Sequence, residues 1–127
     1  METHFYAFEK LEAWQKATQL VLLIYKTTRH FPDEEKFGLV SQMRRASISI
    51  CSNIAEGSAR FSPKDQAHFT NLSYSSLMEV LNQALLANEL GFINLEVTSK
   101  IRKYAHDVSY LLNLLYKVQM RRAEGLH

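Results

Sequence analysis

A length of 127 residues falls within the usual range of one domain, and no linker-like stretch divides the chain, so we expect a single domain over residues 1–127. Four glycines and two prolines are too few for the many tight turns of an all-β chain, which favours helices. The formal net charge is only +2, so affinity for polyanions would depend on clustered charges.

The single cysteine, Cys51, excludes an internal disulfide and a multi-cysteine zinc site and fits a reducing compartment. The first residues, Met1-Glu2-Thr3-His4, lack the basic start and apolar core of a secretory signal. No apolar run approaches the roughly 20 residues that a membrane-spanning helix needs. We therefore expect a cytoplasmic protein without membrane insertion.

The first predicted helix covers about residues 8–29. Its apolar residues recur at the spacing of one helical face, namely Leu11, Trp14, Ala17, Val21 and Ile24. Pro32 disfavours a helical conformation at the residue before it, and the three acidic residues after it suit the first turn of a helix. A second helix is therefore predicted over about residues 33–60.

The middle of this second helix is rich in small side chains: Ala46, Ser47, Ser49, Cys51, Ser52 and Ala55. They favour close packing against neighbouring helices, with a ligand groove as the alternative. Gly57 lies near the predicted helix end, where glycine can form a C-terminal cap or admit a close neighbour.

The last two helices have recognisable ends. Ser62 is a predicted N-cap, with Pro63 at the first position of a helix over residues 63–90. Gly91 is a predicted C′ glycine, and Asn94 can cap a fourth helix over residues 94–122. Four helices with short connections can only fold back on one another, which predicts an all-α, antiparallel up-down-up-down four-helix bundle.

Helices one and four have more apolar side chains than one face requires. The additional residues are Leu20, Leu22, Leu23 and Tyr25 on helix one and Leu112, Leu114 and Tyr116 on helix four. A helix that is apolar beyond one face is commonly covered by another chain. The pattern therefore predicts self-association.

The sequence offers little for catalysis or metal binding. The only Glu-x-x-His match to a di-iron site is Glu124-Gly125-Leu126-His127 at the end of the chain, and the other histidines lack carboxylates at ligand spacing. Cys51 has no neighbour that marks an activated thiolate, and no Gly-x-Ser-x-Gly or glycine-rich phosphate motif occurs. We expect no catalytic residue, no metal and no cofactor.

The charge distribution suggests contact with nucleic acid. The candidate contact residues are Arg44, Arg45 and Arg60 on the second helix and Lys100, Arg102, Lys103, Lys117, Arg121 and Arg122 on the fourth. Only Glu96 and Asp107 oppose the six cations of the fourth helix, and repetition in an oligomer would multiply this excess. An ordinary solvated helix face is the alternative. Tyr104, Tyr110 and Tyr116 lie at core spacing and are poor evidence for base stacking.

Asn53 and Glu56 form a polar pair about one turn apart. We interpret them as a structural pair in which Glu56 faces Arg44, Arg45 or Arg60, with a recognition site as the alternative.

Several segments together resemble a known family. They are Leu-Glu-Ala-Trp-Gln-Lys-Ala around Trp14, Phe-Pro-Asp-Glu-Glu at residues 31–35, Gln-Met-Arg-Arg-Ala at 42–46, and Ser-Ile-Cys-Ser-Asn-Ile-Ala-Glu-Gly ending at Gly57. These segments resemble the four-helix bundle proteins of intervening sequences in bacterial 23S ribosomal RNA genes, and the resemblance covers nearly the whole chain.

The resemblance implies a homopentamer and a similarity to the accessory proteins of diversity-generating retroelements, which bind nucleic acid and a reverse transcriptase. It brings no catalytic residues, which implies a non-enzyme. Arg44 and Arg45 match the family pattern and become the leading contact residues, with an intersubunit salt bridge as the alternative. Trp14, Asn53, Glu56 and Gly57 belong to the motifs and are expected to be structural.

Overall fold

A computed structural model describes residues 2–126. Met1 and His127 lie outside this part of the chain. Two predictions involve these residues. The absence of a secretory signal was predicted from a segment that begins at Met1, and the Glu-x-x-His match ends at His127, so each lies partly outside the described residues.

Four α-helices form the protein: α1 (Glu12–Thr28), α2 (Leu39–Ser58), α3 (Pro63–Glu89) and α4 (Leu95–Ala123). Short 3-10 helices precede α1 at Ala7–Lys10 and α2 at Asp33–Glu35, and residues 2–126 contain no β-strand. Each helix packs against its sequence neighbours, and α1 closes the ring against α4. Helices α2 and α4 therefore lie diagonally across the bundle, without direct packing between them in the described chain.

Hydrogen bonds between neighbouring helices define their directions. Arg44 Nε, near the start of α2, donates to Thr28 Oγ1 at the end of α1 over 2.9 Å. Thr70 Oγ1, near the start of α3, donates to Gln119 Oε1 near the end of α4 over 2.6 Å. Successive helices are thus antiparallel, which confirms the predicted all-α, up-down-up-down four-helix bundle.

The helix ends around α3 and α4 agree with the predicted caps. Ser62 Oγ accepts a hydrogen bond from the Asp65 N–H over 3.2 Å, and Asn94 Oδ1 accepts one from the Val97 N–H over 2.9 Å. Gly91 has a φ of +81°, as expected for a C′ glycine.

The first two helices begin later than predicted. Helix α2 begins at Leu39 and not at residue 33, because the acidic segment after Pro32 forms only a 3-10 turn and Gly38, with φ −109° and ψ −110°, interrupts the helical backbone. A carboxylate oxygen of Glu35 accepts a hydrogen bond from the Leu39 N–H over 3.3 Å. Helix α1 begins at Glu12, because the backbone of Leu11 is extended.

The core occupies the centre of the bundle and uses a wider face of α1 and α4 than the sequence analysis assumed. Leu20, Leu23 and Leu112 are buried within one protomer, so assigning them to a second contact surface was wrong. Leu22 remains 66% exposed and Leu114 44% exposed. Within residues 2–126, every helix is too short or too polar to span a bilayer.

Candidate nucleic-acid interface

Arg44 is held against α1 by contacts within the protomer. Its guanidinium lies 4.5 Å from the centre of the Tyr25 ring, and Nη2 donates to the Tyr25 carbonyl over 3.4 Å, in addition to the bond from Nε to Thr28. Thr28 in turn donates to the Ile24 carbonyl over 2.7 Å. Arg44 thus joins the start of α2 to the end of α1.

Arg45, the next residue, is exposed. It lines an open cavity of about 470 Å³ together with Lys36 and Phe37, whose side chain is 90% exposed. The two adjacent arginines therefore differ: Arg44 is mainly committed to the bundle, while Arg45 faces solvent.

Arg60 and Gly57 meet the same aromatic residue of α3. The Arg60 guanidinium lies 4.5 Å from the centre of the Phe69 ring. A Cβ added to Gly57 would lie 2.8 Å from the Phe69 Cβ, so this glycine permits close approach of α2 and α3. Gly57 lies within α2 and not at its cap, which selects the second of its two predicted roles.

The basic residues of α4 are exposed but spread around the helix. Lys100 lines the cavity that faces α1, whereas Arg102 lines a cavity that faces α3. Lys103 and Lys117 are exposed, as are Arg121 and Arg122. Helices α2 and α4 are diagonal and do not pack on each other in the described chain, so the cations of these two helices lie on helices that are not neighbours.

The polar pair in α2 is not an ion-paired unit with the nearby arginines. Asn53 Nδ2 donates to the Ser49 carbonyl over 2.9 Å and to Ser49 Oγ over 3.1 Å, and Ser49 Oγ lies 2.9 Å from Ser76 Oγ of α3. Asn53 therefore supports the α2–α3 contact. Glu56 is exposed, and two of its expected partners lie against aromatic rings instead.

Trp14 is half-buried and packs on the core. Its ring lies edge-on to the Phe8 ring, with centroids 5.3 Å apart. This contact fastens the segment before α1 to the bundle.

Cys51 is half-buried, with Sγ 3.9 Å from Thr18 Oγ1. Burial raises the pKa of the Cys51 thiol, which disfavours the thiolate, while the hydrogen bond with Thr18 opposes this shift. The described residues contain no cluster of three or more His, Cys, Asp or Glu side chains suited to a metal ion.

A groove between α3 and α4 was not predicted from the sequence. Two cavities of about 320 Å³ each lie along it. The first is lined by Thr70, Asn71, Tyr74, Leu112, Asn113 and Tyr116, and the second by Met78, Leu81, Arg102, Ala105, His106 and Ser109. We call these twelve residues the α3–α4 groove.

Two of the three α4 tyrosines that were assigned to core spacing explain this omission in part. Tyr110 is 59% exposed and Tyr116 39% exposed, so the core assignment of both was wrong. Tyr104 is half-buried. The alternation of Asn and Tyr at Asn71, Tyr74, Asn113 and Tyr116 is a sequence signal only once the pairing of α3 with α4 is known.

The comparisons place the chain in a family. No curated protein matches it significantly in sequence. A crystal structure of a protein of unknown function from the S23 ribosomal protein family of Bacteroides thetaiotaomicron aligns with a TM-score of 0.74 over 83% of this chain and 98% of that chain. At 21% identity this similarity shows the fold alone.

The model of the 23S rRNA-intervening sequence protein family matches residues 9–114. Neither this family description nor that of the structural neighbour names an enzymatic activity. Since the match covers most of the chain, the protein belongs to the 23S rRNA-intervening sequence protein family.

Proposed function

We propose that this protein is a noncatalytic homo-oligomer that contacts RNA or DNA through exposed basic side chains and acts in the cytoplasm. The observation that carries the proposal is the charge of α4, where six exposed cations are opposed by exposed Glu96 and half-buried Asp107. Basic side chains that neutralise phosphates provide most of the affinity for nucleic acid, and they need no particular base sequence.

Self-association is the second part of the proposal. Leu22, Leu114 and Val118 are 66%, 44% and 45% exposed, on the two helices with the widest apolar faces. An oligomer that covered these side chains would also repeat the α4 cations around a symmetry axis. Such repetition would raise the local density of positive charge. A pentamer is the assembly that we propose.

The first experiment measures binding to a structured RNA and to duplex DNA by fluorescence anisotropy over a range of salt concentrations. We expect binding at low salt that weakens steeply as salt rises, because released counterions contribute to the affinity. The K103E/K117E variant should bind more weakly than K10E/K16E, which makes the same change in charge at exposed positions outside α4. Absence of binding even at low salt would exclude this function.

The second experiment measures the mass of the protein by multi-angle light scattering. A mass of several protomers is expected for the wild type, and L22E should lower it, because a buried carboxylate would be placed in the contact. Replacement of exposed Gln42 by Glu is the matched control. A monomer at all concentrations would refute the oligomeric part.

An adaptor for a protein such as a reverse transcriptase is the second candidate function. The observation that favours it is the exposure of Phe37 and Phe61, which are 90% and fully exposed at connections between helices. Large exposed aromatic side chains are typical anchors of protein interfaces. This function predicts binding of the partner with no retention of nucleic acid, so the anisotropy experiment also separates the two candidates.

A further inference from the structure

The geometry points to the α3–α4 groove as a binding site for a single-stranded segment of RNA or DNA, with unpaired bases between its tyrosine and asparagine side chains. This inference rests on the proposed function and names the surface and the form of nucleic acid. It is carried by the lining of the groove, which combines aromatic rings, amides and a cation, and contains no carboxylate.

The first cavity has the side-chain chemistry that recognises a base. Tyr74 and Tyr116 line it, and base stacking on aromatic rings tolerates any base. Asn71 on α3 and Asn113 on α4 are exposed on either side, and neither amide has a hydrogen bond within residues 2–126. An amide both donates and accepts, so it can bind the polar edge of an unpaired base.

Cations flank the groove along its length. Arg102 lines the second cavity, and exposed Lys117 follows Tyr116 directly. Lys64 lies on α3 two turns before Asn71 and thus on the same side of the helix. From Thr70 to Leu81 the groove extends for about 16 Å at the rise of an α-helix, so phosphates of one strand would pass these side chains in succession.

Three acidic residues of α3 and α4 lie on other faces, and Asp65 and Glu89 lie near the two ends of α3, outside the residues that line the groove. Glu79 accepts a hydrogen bond from Gln83 over 3.2 Å. Gln83 lies two turns after Ser76, whose hydroxyl contacts Ser49 of α2, so this hydrogen bond directs Glu79 towards the α2 side of α3. Glu96 lines the cavity of about 350 Å³ between α1 and α4. Asp107 is half-buried one turn after Tyr104, which lines a cavity facing α1. These three carboxylates are therefore directed to other faces.

The cavity lined by Arg44 and Arg45 is less suitable. Its lining includes Arg44, whose guanidinium is committed to α1, and Lys36, which directly follows three acidic residues. Asp33 and Glu34 are exposed there and would repel a phosphate. The α3–α4 groove has no comparable acidic neighbour among the residues that line it.

The test introduces carboxylates into the groove without changing side-chain size. In the variant N71D/N113D both substitutions are at exposed positions of helices. The control Q42E/S52D makes the same change of two charges at exposed positions of α2. The probe is a fluorescein-labelled single-stranded RNA of about ten nucleotides, within the site sizes usual for single-strand binders, compared with a blunt RNA duplex.

We expect N71D/N113D to weaken binding of the single strand by about tenfold or more, and the control by less than about threefold, because only the first pair places carboxylates inside the groove, where they repel the strand's phosphates and replace the amide donors. The wild type should prefer the single strand to the duplex. Tyr116→Leu should weaken single-strand binding by at least about fivefold, while Tyr116→Phe retains it, because the ring is the stacking element.

The outcomes separate the groove from the wider proposal. If N71D/N113D and the control lost the same amount of affinity for the single strand, the groove would not be the binding site, although nucleic-acid binding itself would stand. If the wild type bound the duplex and the single strand with equal affinity, the proposal of a single-stranded ligand would be wrong. A change of mass in light scattering for N71D/N113D alone would identify the groove as a contact between copies of the chain, which also overturns it. Absence of any wild-type binding would overturn both proposals.

Discussion

Replacement of Gly57 by alanine tests the close approach of α2 and α3. At an open position within a helix, this change would stabilise the protein by about 1 kcal/mol through helix propensity. Here the new Cβ would lie 2.8 Å from the Phe69 Cβ and 3.4 Å from the Gln66 carbonyl oxygen. Neither neighbour can turn away by changing a rotamer, since one is a Cβ and the other belongs to the backbone.

The helices must therefore separate, and overpacking of this kind costs about 1–3 kcal/mol. We expect G57A to be less stable than the wild type by about 1 kcal/mol, with a lower melting temperature by about 4 °C for a chain of this length. Urea unfolding measured at several fixed protein concentrations tests this, because self-association would contribute to stability.

The control for this experiment is S52A, at an exposed position in the same helix. It should be neutral or slightly stabilising, because alanine is the better helix former and no neighbour is displaced. A G57A variant more stable than the wild type would refute the reasoning, because it would mean that helix propensity outweighs the contact with Phe69.

Four further changes have defined outcomes. S62A removes the side-chain cap of α3 and should lower the free energy of unfolding by about 1 kcal/mol in urea denaturation. An unchanged free energy would contradict a stabilising role of this cap. Gln83 Oε1 is buried without a hydrogen-bond partner in the described chain, so Q83L should raise the free energy of unfolding, measured by thermal denaturation, by about 1 kcal/mol. A large decrease in this free energy would show that the amide is needed. Arg44→Lys should cost about 1 kcal/mol on chemical denaturation, because lysine lacks the planar guanidinium that stacks on Tyr25, whereas an equally stable variant would make that contact unimportant. Because burial raises the pKa of Cys51, alkylation by iodoacetamide at pH 8 should be at least about tenfold slower in the folded than in the urea-unfolded protein and should increase with pH, while equal rates would contradict burial of the thiol.

The helix ends show which parts of the fold were predictable from local sequence. The caps at Ser62 and Asn94 and the positive φ of Gly91 were predicted correctly, because each depends on residues within one turn. The start of α2 was predicted six residues early. Proline followed by acids is compatible with both a 3-10 turn and an α-helix, and the interruption at Gly38 was not evident from that pattern.

The candidate site was less predictable than the fold. The sequence identified Arg44 and Arg45 as one pair, whereas the structure directs Arg44 to Tyr25 and leaves Arg45 exposed. It also gave no reason to combine Asn71 with Asn113, which are 42 positions apart in the chain and line one cavity. Such groupings depend on which helices are neighbours.

The sequence by itself determined the number of helices, their approximate extents and their antiparallel order, because periodicity, caps and short connections act over a few residues. Only the tertiary structure decided that α2 and α4 are diagonal, and therefore that their basic residues lie on helices that are not neighbours. It also decided that Leu20, Leu23 and Leu112 belong to the core while Tyr110 and Tyr116 face solvent. The physical reason is that a side chain's environment depends on helix rotation and on the neighbouring helix, and both are set by packing of the whole bundle.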